Sequence, residues 1–248
     1  MRLTVLGSAA SYAGAGEACS GHLVESAGAR VLIDVGNGVL ANLVRVLDPL
    51  HLDAVFVTHA HPDHFLDVYA LQSLLRYAPQ GPAPALPLYL PSGLFDRILR
   101  LHVTHGADDM RAAFRVHDLV VDEPLSVGDL KITPKRSAHL PDSFGLVIES
   151  GGVRLAYTSD TCRGAEAEAI AADADTLLAE ATLPEAYAGK APHMTAREAG
   201  ELAASAGASR LILTHIWPTN DRAQMAREAK AAFNGEVLLA EEMLAVEL

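Results

Sequence analysis

The segment that most constrains this chain is an apolar run that ends in a cluster of metal-binding side chains. Residues 54–57 are small, branched and aromatic, which indicates a short buried β-strand. Four groups able to bind a metal follow within six residues, namely His59, His61, Asp63 and His64. Loops at the carboxyl ends of strands are where α/β proteins build their sites. The pattern therefore predicts an α/β protein with a metal centre at a strand end.

The spacing inside this cluster predicts two metal ions rather than one. His59 and His61 are two residues apart, so in an extended loop their side chains point the same way. Pro62 ends the extended segment and sets the following turn. Asp63 and His64 can then turn toward a second point. Two-metal hydrolytic sites hold their ions about 3.5–4 Å apart and need more ligands than this loop supplies.

Three further candidate ligands also follow predicted strands. They are His139, Asp160 and His215. Imidazole and carboxylate ligands suit zinc, manganese or iron. The cluster contains no cysteine, which argues against a structural tetrathiolate zinc site. Two Zn²⁺ ions are therefore the first expectation, with Mn²⁺ or Fe²⁺ as alternatives.

The rest of the chain alternates strands and helices without a break in composition. Its length of 248 residues fits one α/β domain, so residues 1–248 are expected to form a single metallo-hydrolase domain. Apolar spacing predicts helices over residues 39–47 and 94–103. Another is predicted over 195–206, where Thr195 and Glu198 match a capping box and Gly207 matches a helix end. Strands and helices in this order predict sheets sandwiched between helices.

Composition limits the cellular compartment and the binding partners that are expected. Two cysteines, Cys19 and Cys162, make no disulfide framework, which favours a reducing compartment and a cytoplasmic location. No apolar run approaches the roughly 20 residues of a membrane helix, and the N-terminus lacks signal-peptide features, so no membrane association is expected. A formal net charge of −12 disfavours a surface that is basic all over. Eleven histidines beside only 19 Lys and Arg again point to a metal or acid–base site.

The order of the ligand motifs resembles that of the metallo-β-lactamase superfamily across nearly the whole chain. The motifs are Asp34 in residues 32–36, the run 59–64, His139, Asp160 and His215. The resemblance implies a four-layer αββα sandwich, in the α/β class, with the metals at one edge of two sheets. It implies that His59, His61 and His139 hold one zinc, and that Asp63, His64 and His215 hold the other. It further implies that Asp160 bridges both ions and that Asp34 supports the ligand loop.

Within the superfamily, other segments resemble the tRNA 3′-processing endonuclease (tRNase Z) group. They are residues 19–25, 180–182, 193–195 and 211–215. Residues 193–195 stand where that group has His-Ser-Thr, so the resemblance implies that His193 lies at the catalytic centre. Ala179 stands where the group has a histidine before Glu180, and the long glycine-rich arm that grasps tRNA is missing. The resemblance is therefore to small, arm-less relatives of tRNase Z.

These features together favour a dinuclear-metal phosphodiesterase acting on a small phosphodiester or a nucleic-acid end. Two metals would share a water and lower its pKa, giving a bridging hydroxide near pH 7. His193 is expected to hydrogen-bond a phosphoryl oxygen or protonate the leaving alkoxide, and Asp63 is a candidate proton acceptor. One alternative is a dizinc hydrolase of acyl substrates, such as a lactone or thioester. Another is a catalytically silent RNA-binding module. Relatives of this kind are often dimers, so a homodimer is a further expectation.

Overall fold

A computed structural model describes residues 1–101 and 106–248, and within these ranges it contains fourteen strands and seven α-helices. The strands are β1 (Arg2–Gly7), β2 (Gly21–Glu25), β3 (Arg30–Ile33), β4 (Ala54–Phe56), β5 (Leu86–Leu90), β6 (Phe114–Asp118), β7 (Leu125–Val127), β8 (Leu130–Arg136), β9 (Phe144–Ser150), β10 (Val153–Tyr157), β11 (Thr176–Glu180), β12 (Arg210–Thr214), β13 (Glu236–Leu239) and β14 (Ala245–Glu247). The helices are α1 (Val39–Leu43), α2 (Val68–Tyr77), α3 (Leu94–Leu99), α4 (Gly106–Ala113), α5 (Ala165–Ala171), α6 (Ala196–Ala206) and α7 (Arg222–Ala232).

The strands form two seven-stranded mixed sheets over the described ranges. The first has the order β14-β1-β2-β3-β4-β5-β6, and the second has the order β13-β12-β11-β10-β9-β8-β7. Each sheet has an antiparallel part and a parallel part. The pairing changes from antiparallel to parallel at β3 in the first sheet and at β10 in the second. The parallel parts place the carboxyl ends of β3, β4, β10, β11 and β12 along one edge of the sandwich, where ligands of α/β proteins usually bind.

Alternating side chains divide the core into three layers. In β3, Leu32 faces the helices of the first sheet, whereas Val31 and Ile33 face the second sheet. In β12, Ile212 faces the first sheet, whereas Leu211 packs outward against α5, α6 and α7. Helices α1 to α4 cover the outer face of the first sheet in the same way. The molecule is therefore a four-layer αββα sandwich, which confirms the predicted fold class.

Most predicted elements are present, with differences at their ends. The capping box is confirmed, because the Thr195 hydroxyl accepts the Glu198 N–H and the Thr195 N–H donates to Glu198 Oε2 at 2.7 Å. Gly207 ends that helix at φ 71°. Helix α1 ends at Leu43, earlier than predicted, because the following residues form turns that lead to the Pro49 3₁₀ helix. Helix α3 ends at Leu99, and residues 102–103 of its predicted span lie outside the described residues.

Gly36 sets how closely the loop after β3 approaches the loop after β4. A Cβ at Gly36, just after β3, would lie 2.0 Å from the carbonyl oxygen of Asp63. Any side chain there would push the loop after β3 away from the loop after β4.

Across the described residues, no helix is both long and apolar enough to cross a membrane.

Candidate metal centre

The structure brings all seven predicted ligands to the carboxyl edge of the sheets. The first cluster consists of His59, His61 and His139, together with one oxygen of Asp160. His61 Nδ1 lies 3.1 Å from His59 Nε2 and 3.0 Å from His139 Nε2. Asp160 Oδ2 lies 3.4 Å from His59 Nε2 and 3.7 Å from His139 Nε2. Tetrahedral ligands at 2.0–2.1 Å from a zinc ion would be about 3.3 Å apart, so these atoms are spaced as ligands of one ion.

The second cluster consists of Asp63, His64 and His215, and it faces the other oxygen of Asp160. His215 Nε2 lies 3.3 Å from His64 Nε2 and 3.2 Å from Asp63 Oδ2. Asp160 Oδ1 lies 3.3 Å from His64 Nε2 and 3.5 Å from His215 Nε2. The Asp160 carboxylate therefore stands between the clusters, with one oxygen toward each.

Asp160 supplies the test of whether a metal fits. The residue is 1% exposed, and among the described residues its Oδ1 has no hydrogen-bond partner. Burying an ionised carboxylate oxygen without a partner is costly unless a cation faces it. Burial raises the pKa of Asp160, but the nearby His215 and His64 rings outweigh burial and hold the pKa well below its usual range. An ionised carboxylate whose two oxygens face different imidazole nitrogens is a donor set for divalent metal ions.

Hydrogen bonds fix which ring nitrogen His59 and His139 of the first cluster present. The Thr58 hydroxyl donates to Asp34 Oδ2, so its oxygen is left to accept from His59 Nδ1–H at 3.1 Å. His139 Nδ1–H donates to the Pro192 carbonyl at 3.0 Å. Burial is the main cause that lowers the pKa of His59 and His61, and it lowers the pKa of His139 to about 4. These rings are therefore neutral at pH 7 with lone pairs toward the cluster, which is the form that binds metal.

Buried carboxylates support the histidines of the second cluster. His64 Nδ1–H donates to Asp34 Oδ2 at 2.8 Å, and Asp34 also accepts the Thr58 N–H and the Tyr157 hydroxyl. The family resemblance implies that Asp34 supports the ligand loop, and these contacts place its carboxylate behind the His64 ring. Burial lowers the pKa of His64, but the Asp160 and Asp34 carboxylates outweigh it and raise the pKa. These charges favour a cation near His64, either a proton or a metal ion.

A relay of hydrogen bonds supports His215 in a similar way. His215 Nδ1–H donates to Thr182 Oγ1 at 2.8 Å, and the Thr182 hydroxyl donates to Glu180 Oε2 at 2.7 Å. Asp63, the third member of the second cluster, accepts the Ser11 N–H at 2.7 Å. Burial raises the pKa of Asp63, but hydrogen bonding to His215 and the His64 charge keep it below its usual value.

His193 lies against both clusters. Its ring centroid is 4.8 Å from that of His139 and 5.7 Å from that of His215. His193 Nδ1–H donates to Glu180 Oε1 at 2.9 Å, which leaves Nε2 as the remaining nitrogen. Burial lowers the pKa of His193, but the hydrogen bond and charge of Glu180 outweigh burial and raise it.

Glu180 is the functional candidate to which the sequence pattern assigned no role of its own. It is fully buried at the end of β11, and it accepts hydrogen bonds from His193, from Thr161 N–H and from Thr182. It therefore connects His193 with the support of His215. The signal in the sequence was a carboxylate that ends an otherwise apolar strand, because glutamates are seldom buried without a partner. Cys162, by contrast, lies outside both clusters, with its sulfur 3.4 Å from the Ala138 carbonyl.

Residues 29–216 match the family model described as the beta-lactamase superfamily domain, so the chain belongs to the metallo-β-lactamase superfamily. With its His/Asp metal-binding cluster it is a hydrolase of that fold. It is 37% identical over 244 residues to the Mycobacterium tuberculosis protein Rv1339, covering 96% of this chain and 88% of that protein. It is 31% identical to the probable metallo-hydrolase YhfI of Bacillus subtilis, over 97% of each chain.

Solved structures give the same assignment. The crystal structure of Bacillus subtilis YhfI superposes with a TM-score of 0.89 at 29% identity, covering 99% of each chain. The short form of human tRNase Z superposes with a TM-score of 0.78 at 25% identity, covering 100% of this chain and 99% of that one.

Proposed function

We propose that this protein is a dinuclear-metal phosphodiesterase that hydrolyses a small phosphodiester or a nucleic-acid end. The observation that carries the proposal is His193, which is held by Glu180 and packed against histidines of both clusters. An imidazole N–H donor beside a two-metal centre suits a reaction that develops negative charge on phosphoryl and leaving oxygens. The similarity to the short form of human tRNase Z, a ribonuclease by name, supports the same class of substrate.

The clusters divide the ligands between two ions, with zinc as the first candidate. His59, His61 and His139 would hold one ion, and Asp63, His64 and His215 would hold the other. Asp160 would bind both through its two oxygens, which accounts for the partnerless Oδ1. When bound, the two ions supply a water of lowered pKa and neutralise charge on the phosphoryl oxygens.

The protein side chains account for the proton movements. Water attacks phosphorus, so a new P–O bond forms and the bond to the leaving alkoxide oxygen breaks. Asp63, whose orientation is fixed by the Ser11 N–H, accepts the proton that the water loses. His193 donates its Nε2 proton to the leaving alkoxide while Nδ1–H stays on Glu180. The products are a phosphomonoester and an alcohol.

The charge of the chain supports a small substrate over a whole tRNA. The formal net charge is −12, and the sequence lacks the glycine-rich arm found in tRNase Z. Affinity for a long nucleic acid comes mainly from many lysine and arginine contacts to phosphates. A short phosphodiester needs only the local field of the metal centre.

A panel of three substrates tests the proposal. Metal content is measured on the purified protein, and rates are compared for bis(p-nitrophenyl) phosphate, a lactone and a thioester. We expect hydrolysis of the phosphodiester, loss of that activity after chelation, and its return when zinc is added back. Hydrolysis of only the acyl substrates would reject the proposal in favour of an acyl hydrolase. A protein that holds no metal, hydrolyses nothing and binds RNA would be a silent RNA-binding module instead.

A further inference from the structure

A groove opens beside the first cluster, and two ligand loops form part of its wall. The side groove, as we call it, has a volume of ≈ 190 Å³ and is lined by Ala60, Leu94, Arg97, Leu140 and Asp142, among others. Ala60 stands between the ligands His59 and His61, and Leu140 follows His139 directly. The wall of the groove therefore includes residues that are adjacent in sequence to three ligands of the first cluster. The volume equals roughly six water molecules, enough for one ring-sized group.

The groove has a mixed lining and is held in shape. Pro91, Leu140 and Pro141 line it with flat or branched apolar groups, and Ser92, Arg97 and Asp142 add polar ones. The Leu140 N–H donates to Ser143 Oγ at 3.1 Å, and Arg136 donates to the Pro141 carbonyl at 2.6 Å. A groove with apolar walls and a few polar groups can orient one ring-sized part of an organic ligand.

Two exposed charges of opposite sign lie in the same groove. Arg97 and Asp142 both line it, and neither has an ion pair within 4.0 Å in the part of the chain that is described. Arg97 offers hydrogen-bond donors and Asp142 offers acceptors. A ring edge that carries both acceptors and donors, as nucleobase edges do, is complementary to such a pair.

We infer that the side groove binds the nucleobase of a nucleotidyl phosphodiester, and that Arg97 determines specificity for that arm. This inference rests on the proposed phosphodiesterase function and adds the substrate class to it. The phosphodiester lies at the two clusters, the leaving group faces His193, and the retained nucleoside extends over Ala60 and Leu140. An ester that lacks a ring on the retained arm leaves the groove unused.

The test compares two esters with the same leaving group. Thymidine 5′-(p-nitrophenyl phosphate) carries a nucleoside on the retained arm, whereas methyl p-nitrophenyl phosphate carries a methyl group. We expect Arg97→Met to lower the ratio of the two kcat/KM values, nucleotidyl over methyl, by about tenfold, mainly through KM for the nucleotidyl ester. Arg100→Met is the matched control, because Arg100 is exposed beside the same helix but does not line the groove. The ratio should stay at its wild-type value there.

A second measurement does not depend on turnover. The affinity for thymidine 5′-monophosphate, measured by calorimetry, should fall in Arg97→Met and not in Arg100→Met. An unchanged ratio and unchanged affinity in Arg97→Met, with both esters hydrolysed by the wild type, would overturn the groove assignment and leave the phosphodiesterase proposal standing. A wild-type protein that hydrolyses neither ester would remove both.

Discussion

The two clusters differ in what lies behind their ligands. In the first cluster the direct support is neutral, since the Thr58 hydroxyl accepts from His59 and itself donates to Asp34, and the Pro192 carbonyl accepts from His139. In the second cluster a carboxylate makes direct contact, since Asp34 accepts from His64, and a similar relay runs from His215 through Thr182 to Glu180. A carboxylate behind a histidine orients the ring and raises its basicity as a ligand. The second cluster is therefore expected to bind its ion more tightly, and the first to exchange its ion more readily.

Exposure differs in the same direction. His64 and His215 are buried, whereas His61 of the first cluster is partly exposed and the side groove opens next to it. Solvent and substrate therefore reach the first cluster at His61. One centre would therefore combine a firmly held ion with a more accessible one.

The largest effect is expected from the residue that the clusters share. Asp160→Ala removes the oxygen that faces each cluster, so both ions should be lost or weakly held. Because bound metals supply several kcal/mol of transition-state stabilisation, we expect kcat/KM to fall by about a thousandfold or more. Metal content by mass spectrometry and phosphodiester hydrolysis are the measurements. Asp118→Ala, at an exposed strand end, is the control. Retention of two ions and full activity in Asp160→Ala would refute the bridging assignment.

The second-largest effect is expected from Asp34→Ala, which should lower the metal affinity of the two clusters by different amounts. Asp34→Ala leaves the His64 ring, the Tyr157 hydroxyl, and both the N–H and the hydroxyl of Thr58 without their acceptor. We expect affinity for the second ion to fall about 10–100-fold, with a smaller change for the first. Buried donors without partners should also cost about 3 kcal/mol of unfolding free energy, or roughly 6–12 °C in Tm for a chain of this size.

Stepwise chelation of the wild type and of Asp34→Ala measures the two affinities. In the wild type one ion should leave well before the other. In Asp34→Ala that interval should shrink, because the tighter site is the one weakened. Simultaneous loss of both ions from the wild type would contradict the difference between the clusters.

Simple rules predict much of the fold and most of the site from sequence. Residues such as His59, Asp160 and His215 follow apolar strands, and parallel strands bring such positions to one edge. Strand β7 and helix α4 were not predicted, because their short or weakly apolar segments are stabilised by neighbours rather than by their own pattern.

Two features of the centre depend on tertiary structure and so escape the sequence. Asp34, Ser159 and His215 have φ values of 55°, 52° and 50°, a left-handed conformation that non-glycine residues seldom adopt. Each costs about 1–3 kcal/mol, which the surrounding contacts must offset. Glu180 acquires its contacts only because β11 lies between β10 and β12 and the chain returns past it at His193. No local pattern encodes that return.

The smallest of these effects is expected from a substitution at Glu180. It tests the connection that Glu180 makes between His193, the proposed proton donor, and the metal ligand His215. Glu180→Gln keeps the shape of the side chain, but an amide offers one acceptor oxygen where Glu180 uses both, toward His193 and toward Thr182. We expect kcat to fall about tenfold while the metal content stays close to that of the wild type. If Glu180 acts through His193, the losses from Glu180→Gln and His193→Ala should not add in the double variant. Additive losses would instead mean that Glu180 acts mainly through Thr182 on the second cluster, and the affinity of the second ion would then fall as well.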